Sequence, residues 1–194
     1  PPTNFLALSS FALPISDDID PAQTDDDYPS KQFGVVTYTG NASTNNITGL
    51  NFKPDLIWIK ARDIADNHVL CNTLQGELKS LYGNGSSAEV TNGVLSFNDD
   101  GFTLGDWNNV NDTDDDFVAW CWKAGNKTVV DTSGDLSCTR STNVDAGFSI
   151  IMTEGTDANN QKIPHGLGKA PEWNLAKQLD NAYNWDVFHV GCTA

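Results

Sequence analysis

Cationic side chains are in short supply in this chain of 194 residues: 11 Lys and Arg stand against 26 Asp and Glu, giving a formal charge of −15 and a pI near 4.2. A surface of that sign repels phosphate backbones and anionic lipid headgroups, which argues against a nucleic-acid partner and against membrane insertion. No apolar run approaches the roughly 20 residues that a helical membrane span needs, and no basic-plus-apolar leader opens the chain. Histidine is scarce too, with His68, His165 and His189 the only three. There is no G-x-S-x-G elbow, and a pair of carboxylates for glycoside cleavage cannot be singled out among 26 acidic residues. Nothing in the sequence supplies an activated nucleophile, and the reading is that the protein is not an enzyme.

The four cysteines, Cys71, Cys121, Cys138 and Cys192, show no C-x-x-C spacing and no His at zinc-ligand distance, which argues against a metal cluster. Cys71 and Cys121 sit inside apolar runs, where a free thiol behaves as a small hydrophobe; disulfides remain open. The acid gathers in runs, Asp17, Asp18 and Asp20 with Asp25, Asp26 and Asp27, and Asp112 with Asp114, Asp115 and Asp116. Lying between apolar segments, these read as solvated loops. Calcium is the alternative, since hard cations want clustered carboxylate oxygens, but neither run has the Asp-x-Asp-x-Asp-Gly loop with its distal Glu. No cofactor is called for.

What the chain does have is turn chemistry. Gly (16 residues) with abundant Asn, Asp, Thr and Ser is the composition of short strands joined by many turns, so the expected class is all-β. Residues 1–32 carry Pro1, Pro2, Pro14, Pro21 and Pro29 and read as an extended arm, whose Phe5, Leu6, Leu8, Phe11 and Leu13 need cover from a domain or a neighbouring chain. The Pro-Pro start without Met suggests an excised or processed part of a longer polypeptide. Strand signals begin at Phe33 and continue through Asp55–Lys60, His68–Cys71, Gly93–Phe97, Gly101–Leu104 and Phe117–Trp122, separated by Asn84-Gly85, Asn92-Gly93 and Asp99-Asp100-Gly101. Leu74, Leu78 and Leu81 stand at helical spacing and predict a short helix over 74–81.

An internal repeat organises the whole. Phe33-Gly34-Val35-Val36 recurs as Phe148-Ser149-Ile150-Ile151, and Gly49-Leu50 with Pro54-Asp55 recurs as Gly166-Leu167 with Pro171-Glu172, an offset of 115 to 117 residues. Lys60 and Asp63 then match Lys177 and Asp180, and His68-Val69-Leu70 matches Trp185-Asp186-Val187. The expected organisation is a first β-sandwich-like unit over 33–125, a linker over 126–146, and over 147–194 the start of a second, incomplete unit. A half-unit cannot close its own sheet, so either further chain or a partner completes it.

Phe117-Val118-Ala119-Trp120-Cys121-Trp122 is apolar on both alternating faces, which predicts a central strand. His165-Gly166-Leu167-Gly168-Lys169-Ala170-Pro171 places a His among glycines but lacks the phosphate-loop pattern, and its repeat counterpart has no His; it reads as a structural turn. A sugar is gripped by an aromatic face stacked on a pyranose, with Asn and Asp bonding the hydroxyls. Tyr82, Trp107 with Asn108 and Asn109, and Tyr183 with Trp185 sit in Asn- and Asp-rich contexts of that kind and are the candidate glycan contacts.

The strings Phe33–Asn41, Gly49–Lys60, Phe97–Gly105 and Phe117–Gly125 resemble a domain of unknown function found in large structural proteins of marine bacteriophages, often described as tail fibres. His165–Pro171 is similar to the opening of that domain's second half, and Pro2–Leu8 to the connector before it. The sequence departs from the pattern at Met152-Thr153-Glu154, where Thr-Tyr-Thr is expected, and at Ala194, before the second half's closing strand. The resemblance implies a virion or host-recognition role, extracellular, and a β-sandwich in the style of jelly-roll or concanavalin-like lectins; it carries no catalytic residues. Open sheet edges and the custom of fibre proteins predict a homo-oligomer, a trimer, in contact with other virion proteins and with a host-surface glycan.

Overall fold

The computed structural model describes residues 28–125 and 128–192, so the arm expected over 1–32 lies, up to residue 27, outside the described residues. Thirteen strands and one helical turn account for the regular structure described beyond a short 3-10 turn at Pro29–Lys31. The class is all-β and every strand pairing is antiparallel.

The first repeat builds two facing sheets. The larger has the order β1 (Phe33–Thr39), β8 (Asp116–Trp122), β3 (Leu56–Ala61), β4 (Val69–Asn72), β5 (Leu81–Tyr82). The smaller has the order β2 (Asn45–Thr48), β7 (Gly101–Leu104), β6 (Val94–Asn98). Alternation explains how they pack: Ile57, Ile59, Ala61, Val69, Cys71, Phe117, Ala119 and Cys121 point inward from the large sheet, and Ile47, Val94, Phe102 and Leu104 meet them from the small one. This shared core gives the sandwich-like arrangement expected from the sequence. Phe102 and Phe117 are fully buried within it, each worth roughly 2–3 kcal/mol of transfer free energy.

β8 is the central strand the sequence predicts, flanked by β1 and β3. Its inner face (Phe117, Ala119, Cys121) is fully buried; its outer face (Val118, Trp120, Trp122) is half-buried, with Trp120 edge-on to Trp58 and Trp122 against Phe33 and Phe148.

Two expectations fail. Residues 74–78 form turns rather than a helix and Leu81 opens β5, because Gly76 (φ +93°) and Leu78 (φ +57°) adopt left-handed backbone that no right-handed helix contains. The Asn72 carboxamide instead accepts from Leu74 N–H and Gln75 N–H, closing a local turn. The helical turn is α1, Asn108–Asn111. Second, the stretch 126–146 read as a linker contains β9 (Val129–Asp131) and β10 (Cys138–Asn143), which pair with β11 (Phe148–Thr153) in the order β11-β10-β9. β10 escapes hydrophobic patterning because its buried side chains are small and polar. Ser141 and Asn143 donate to the carbonyls of Ala124 and Lys123, and the Cys138 thiol to that of Pro164.

The repeat holds at the level of single hydrogen bonds. β12 (Trp173–Ala176) and β13 (Asp186–His189) pair Trp173 with His189 and Ala176 with Asp186, which is the Leu56–Asn72 and Ile59–Val69 register of β3 and β4 moved along by 117 residues. Lys60 Nζ donates to the carbonyls of Ala61 and Ile64, and Lys177 Nζ to those of Gln178 and Asn181, at the same offset. Thr73 N–H to Asp55 O is matched by Val190 N–H to Glu172 O. The side chains have diverged, however. The core positions Ile57, Ile59 and Val69 become Asn174, Ala176 and Asp186, and all eight residues of β12 and β13 are exposed. The two strands form a sheet of two, with no further strand on either edge among the described residues.

Candidate functional site

Local geometry around β5 starts from Gly83. A Cβ there would lie 2.6 Å from Leu70 Cδ1, so a larger residue would have to displace the Leu70 side chain. Gly83 N–H then donates to His68 O at 2.9 Å. Asn84 locks the same turn, its Oδ1 accepting His68 N–H at 3.0 Å and its Nδ2 donating to Asn67 Oδ1 at 3.2 Å. His68 itself accepts the Trp58 indole N–H on Nδ1 at 2.9 Å, which favours the neutral imidazole. Its pKa is lowered, first by burial and then by the neighbouring Lys60 ammonium.

Against this turn the fold collects four of the six predicted aromatic and amide residues. Tyr82 ends β5, its ring 6.5 Å from that of Trp107, and Asn109 Nδ2 donates to the Tyr82 hydroxyl at 3.3 Å. From the second repeat, 103 residues away, Trp185 donates its indole N–H to Tyr82 O at 2.9 Å. Close by, Glu89 N–H donates to Leu179 O at 2.7 Å, with the Glu89 carboxylate fixed by Lys79 and Gln75. The loop 179–185 is thus fastened to the first repeat at two points. Asn108 is exposed on α1, and Tyr183, 61 % exposed, stands beside the cluster in sequence without a ring contact to it.

Trp107 is positioned by Asn111, which is fully buried. The Asn111 amide donates to Ser43 O at 2.7 Å, Gly105 O at 2.9 Å and Asn41 Oδ1 at 3.1 Å. Its Oδ1 accepts Asn41 N–H and Asn45 Nδ2. The backbone N–H groups of Val110 and Asn111 both donate to Trp107 O, at 3.0 and 2.9 Å. One buried carboxamide therefore ties the Trp107 turn to the β1–β2 connection.

Between the two loops runs an open cleft of about 510 Å³ lined by Gly83, Asn84, Gly85, Ser86, Asn184 and Trp185. Trp185 is half-buried, its orientation set by the bond to Tyr82, while Asn84, Ser86 and Asn184 are exposed. An oriented aromatic ring beside amide and hydroxyl groups is the chemistry of saccharide contact. Asn84, Ser86 and Asn184 were missed in the sequence reading because nothing marks them apart from other turn residues; the neighbour relation of Asn184 to Trp185 was the available signal.

Among the described residues no group of three or more His, Cys, Asp or Glu side chains is placed to hold a metal ion. The acidic run near Asp115 is crowded: burial and the carboxylates of Asp63, Asp112, Asp66 and Asp114 raise the pKa of Asp115. The four cysteines are free, Cys71, Cys121 and Cys138 buried and Cys192 exposed. Burial pushes the Cys71 and Cys121 thiols up to about 12, which makes them structural rather than reactive. No described helix is long and apolar enough to cross a membrane.

Residues 28–194 match a domain of unknown function, DUF7483, and the chain belongs to that family. No curated protein and no solved structure matches the chain.

Proposed function

We propose that this chain is a virion structural module of the tail-fibre or adhesin type, a non-enzymatic binding domain that offers the Trp185 cleft to a glycan of the host surface. The observation that supports this is the convergence of Tyr82, Trp107, Asn109 and Trp185 from three separate segments beside an open cleft. A tryptophan whose N–H is already satisfied by the protein presents a ring at little conformational cost. The acidic surface keeps such a domain from adhering to nucleic acid and anionic lipid, and the sandwich-like core agrees with the lectin style that the sequence resemblance implies.

The proposal extends to assembly. The β12–β13 hairpin exposes Trp173, Leu175 and Val187 on one face, and a two-stranded hairpin is marginal by itself in water. A fibre built as a homo-trimer, with neighbouring virion proteins, would cover this face. The same observation favours a second reading, in which the protein is a purely structural capsid-decoration or filament subunit without ligand.

A glycan array probed with the wild-type chain and with Trp185→Ala separates the readings. The adhesin reading expects binding to a restricted set of glycans, lost at least tenfold in Trp185→Ala. No binding to any glycan, or binding unchanged in the variant, overturns it in favour of the structural subunit. Release of oligosaccharide from host polysaccharide would contradict the non-enzymatic assignment.

A further inference from the structure

Two Asn-Gly pairs, Asn84-Gly85 and Asn92-Gly93, lie in turns of the first repeat, and the fold treats their side chains in opposite ways. A glycine after asparagine leaves its amide nitrogen unshielded by any Cβ, so that nitrogen can attack the asparagine carboxamide wherever the two groups are brought together. At Asn84 they are held apart. Its Oδ1 accepts His68 N–H at 3.0 Å and its Nδ2 donates to Asn67 Oδ1 at 3.2 Å, while Gly85 N–H is turned to Tyr82 O at 3.3 Å.

At Asn92 the side chain folds back onto the next amide. Gly93 N–H donates to Asn92 Oδ1 at 3.0 Å, which places the carboxamide carbon one bond from the atom that accepts the hydrogen. The Asn92 carboxamide makes no other hydrogen bond among the described residues. The backbone on both sides is fixed, with Ser80 Oγ donating to Asn92 O at 2.7 Å and Leu78 N–H to Val94 O at 2.9 Å. Packing also holds position 93 to glycine: a Cβ there would lie 2.9 Å from Lys79 O and 3.1 Å from Lys79 N, main-chain atoms that cannot swing aside. Reacting groups already in contact need little further ordering. Asn92 keeps part of its surface in solvent, beside exposed Thr91, so water has access.

We propose that Asn92 is a site of spontaneous covalent modification, at which the Gly93 nitrogen closes on the Asn92 side chain and water then leaves aspartate or isoaspartate, while Asn84 is spared. Hydroxide takes the Gly93 amide proton and the nitrogen bonds to Asn92 Cγ. The carboxamide nitrogen departs as ammonia, its third proton returned by water, and a five-membered succinimide remains. Water opening the ring at Cγ gives aspartate; opening at the main-chain carbonyl gives isoaspartate. No oxidant, metal or enzyme takes part.

The isoaspartyl product has a structural consequence. It routes the main chain through Cβ, adding one carbon to the backbone directly before Val94, which is fully buried and pairs with Leu104. That extra length has to be taken up between the Ser80 contact and the core, so β6 cannot keep both.

The test is warm incubation of the full chain at mildly alkaline pH, folded and in urea, followed by digestion in mild acid and peptide sequencing by electron-transfer mass spectrometry, which separates aspartate from isoaspartate. In the folded chain Asn92 should lose its carboxamide at least tenfold faster than Asn84. In urea, with the geometry gone, the two rates should come within about threefold. The aged chain should also unfold at lower urea than freshly prepared Asn92→Asp, which carries the new charge without the extra backbone carbon. Equal rates at the two positions in the folded chain, a faster Asn84, or a ratio that urea leaves unchanged overturns the proposal. An aged chain as stable as Asn92→Asp overturns the consequence drawn for β6.

Discussion

Replacing Asn111 should do more damage than replacing any surface residue of the candidate site. Its carboxamide makes five hydrogen bonds, donating to Ser43 O, Gly105 O and Asn41 Oδ1 and accepting from Asn41 N–H and Asn45 Nδ2, in a position with no solvent exposure. Leucine has nearly the same volume, so Asn111→Leu leaves little cavity, but it strands at least two carbonyls and an amide N–H. At about 1–3 kcal/mol for each buried group left unpaired, with partial relaxation, the loss comes to roughly 3–5 kcal/mol. Asn111→Asp keeps the shape and the acceptor but replaces the donor with oxygen facing Ser43 O and Gly105 O, so it should be at least as costly. Against a total of about 5–15 kcal/mol for a domain, either change lowers the urea midpoint by a large fraction at unchanged slope. Because α1 fixes Trp107, both variants should also loosen the Tyr82–Trp107 contact, read as a change in tryptophan fluorescence before global unfolding. A loss below about 1 kcal/mol in both variants would refute the hub assignment.

Cysteine labelling should show one fast thiol, Cys192, and three that react only on unfolding, since burial pushes Cys71 and Cys121 up to about 12 and also raises Cys138; a second fast thiol in the native protein contradicts the packing. The His68 imidazole has a lowered pKa in the fold, so the unfolded chain binds the proton more readily. Its contribution to stability is present above the unfolded pKa of about 6.5 and is lost as pH falls through the lower folded value. Denaturation midpoints of wild type and His68→Gln between pH 8 and pH 5 check this, and an equal acid dependence in both would count against it. Asp100→Ala removes the anion that holds Gly49 and Asn51 and should cost about 1–2 kcal/mol; chemical denaturation reads it, and Asp100→Asn should recover only part.

What the sequence disclosed followed from how strongly each segment was patterned. β8 was legible because both its faces are apolar, and the repeat because Gly49-Leu50 and Pro54-Asp55 recur with fixed spacing. β10 was hidden since its buried residues, Ser141 and Asn143, look like turn residues until their carbonyl partners are seen. The false helix at 74–81 came from three leucines at helical spacing, overruled by Gly76, which no spacing rule weighs. For the site, loop aromatics flanked by amides pointed to Tyr82, Trp107 and Trp185, but only the fold could bring position 185 onto position 82.

The most direct test of the adhesin reading is a cryo-electron microscopy map of the particle that carries this chain, read for where Trp185 and the neighbouring cleft lie. The account predicts copies projecting in three-fold bundles from the tail, with the cleft facing outward and β12–β13 covered by a neighbouring chain. Copies tiling a shell or stacked in a filament, with the Trp185 cleft buried between neighbours, would contradict it.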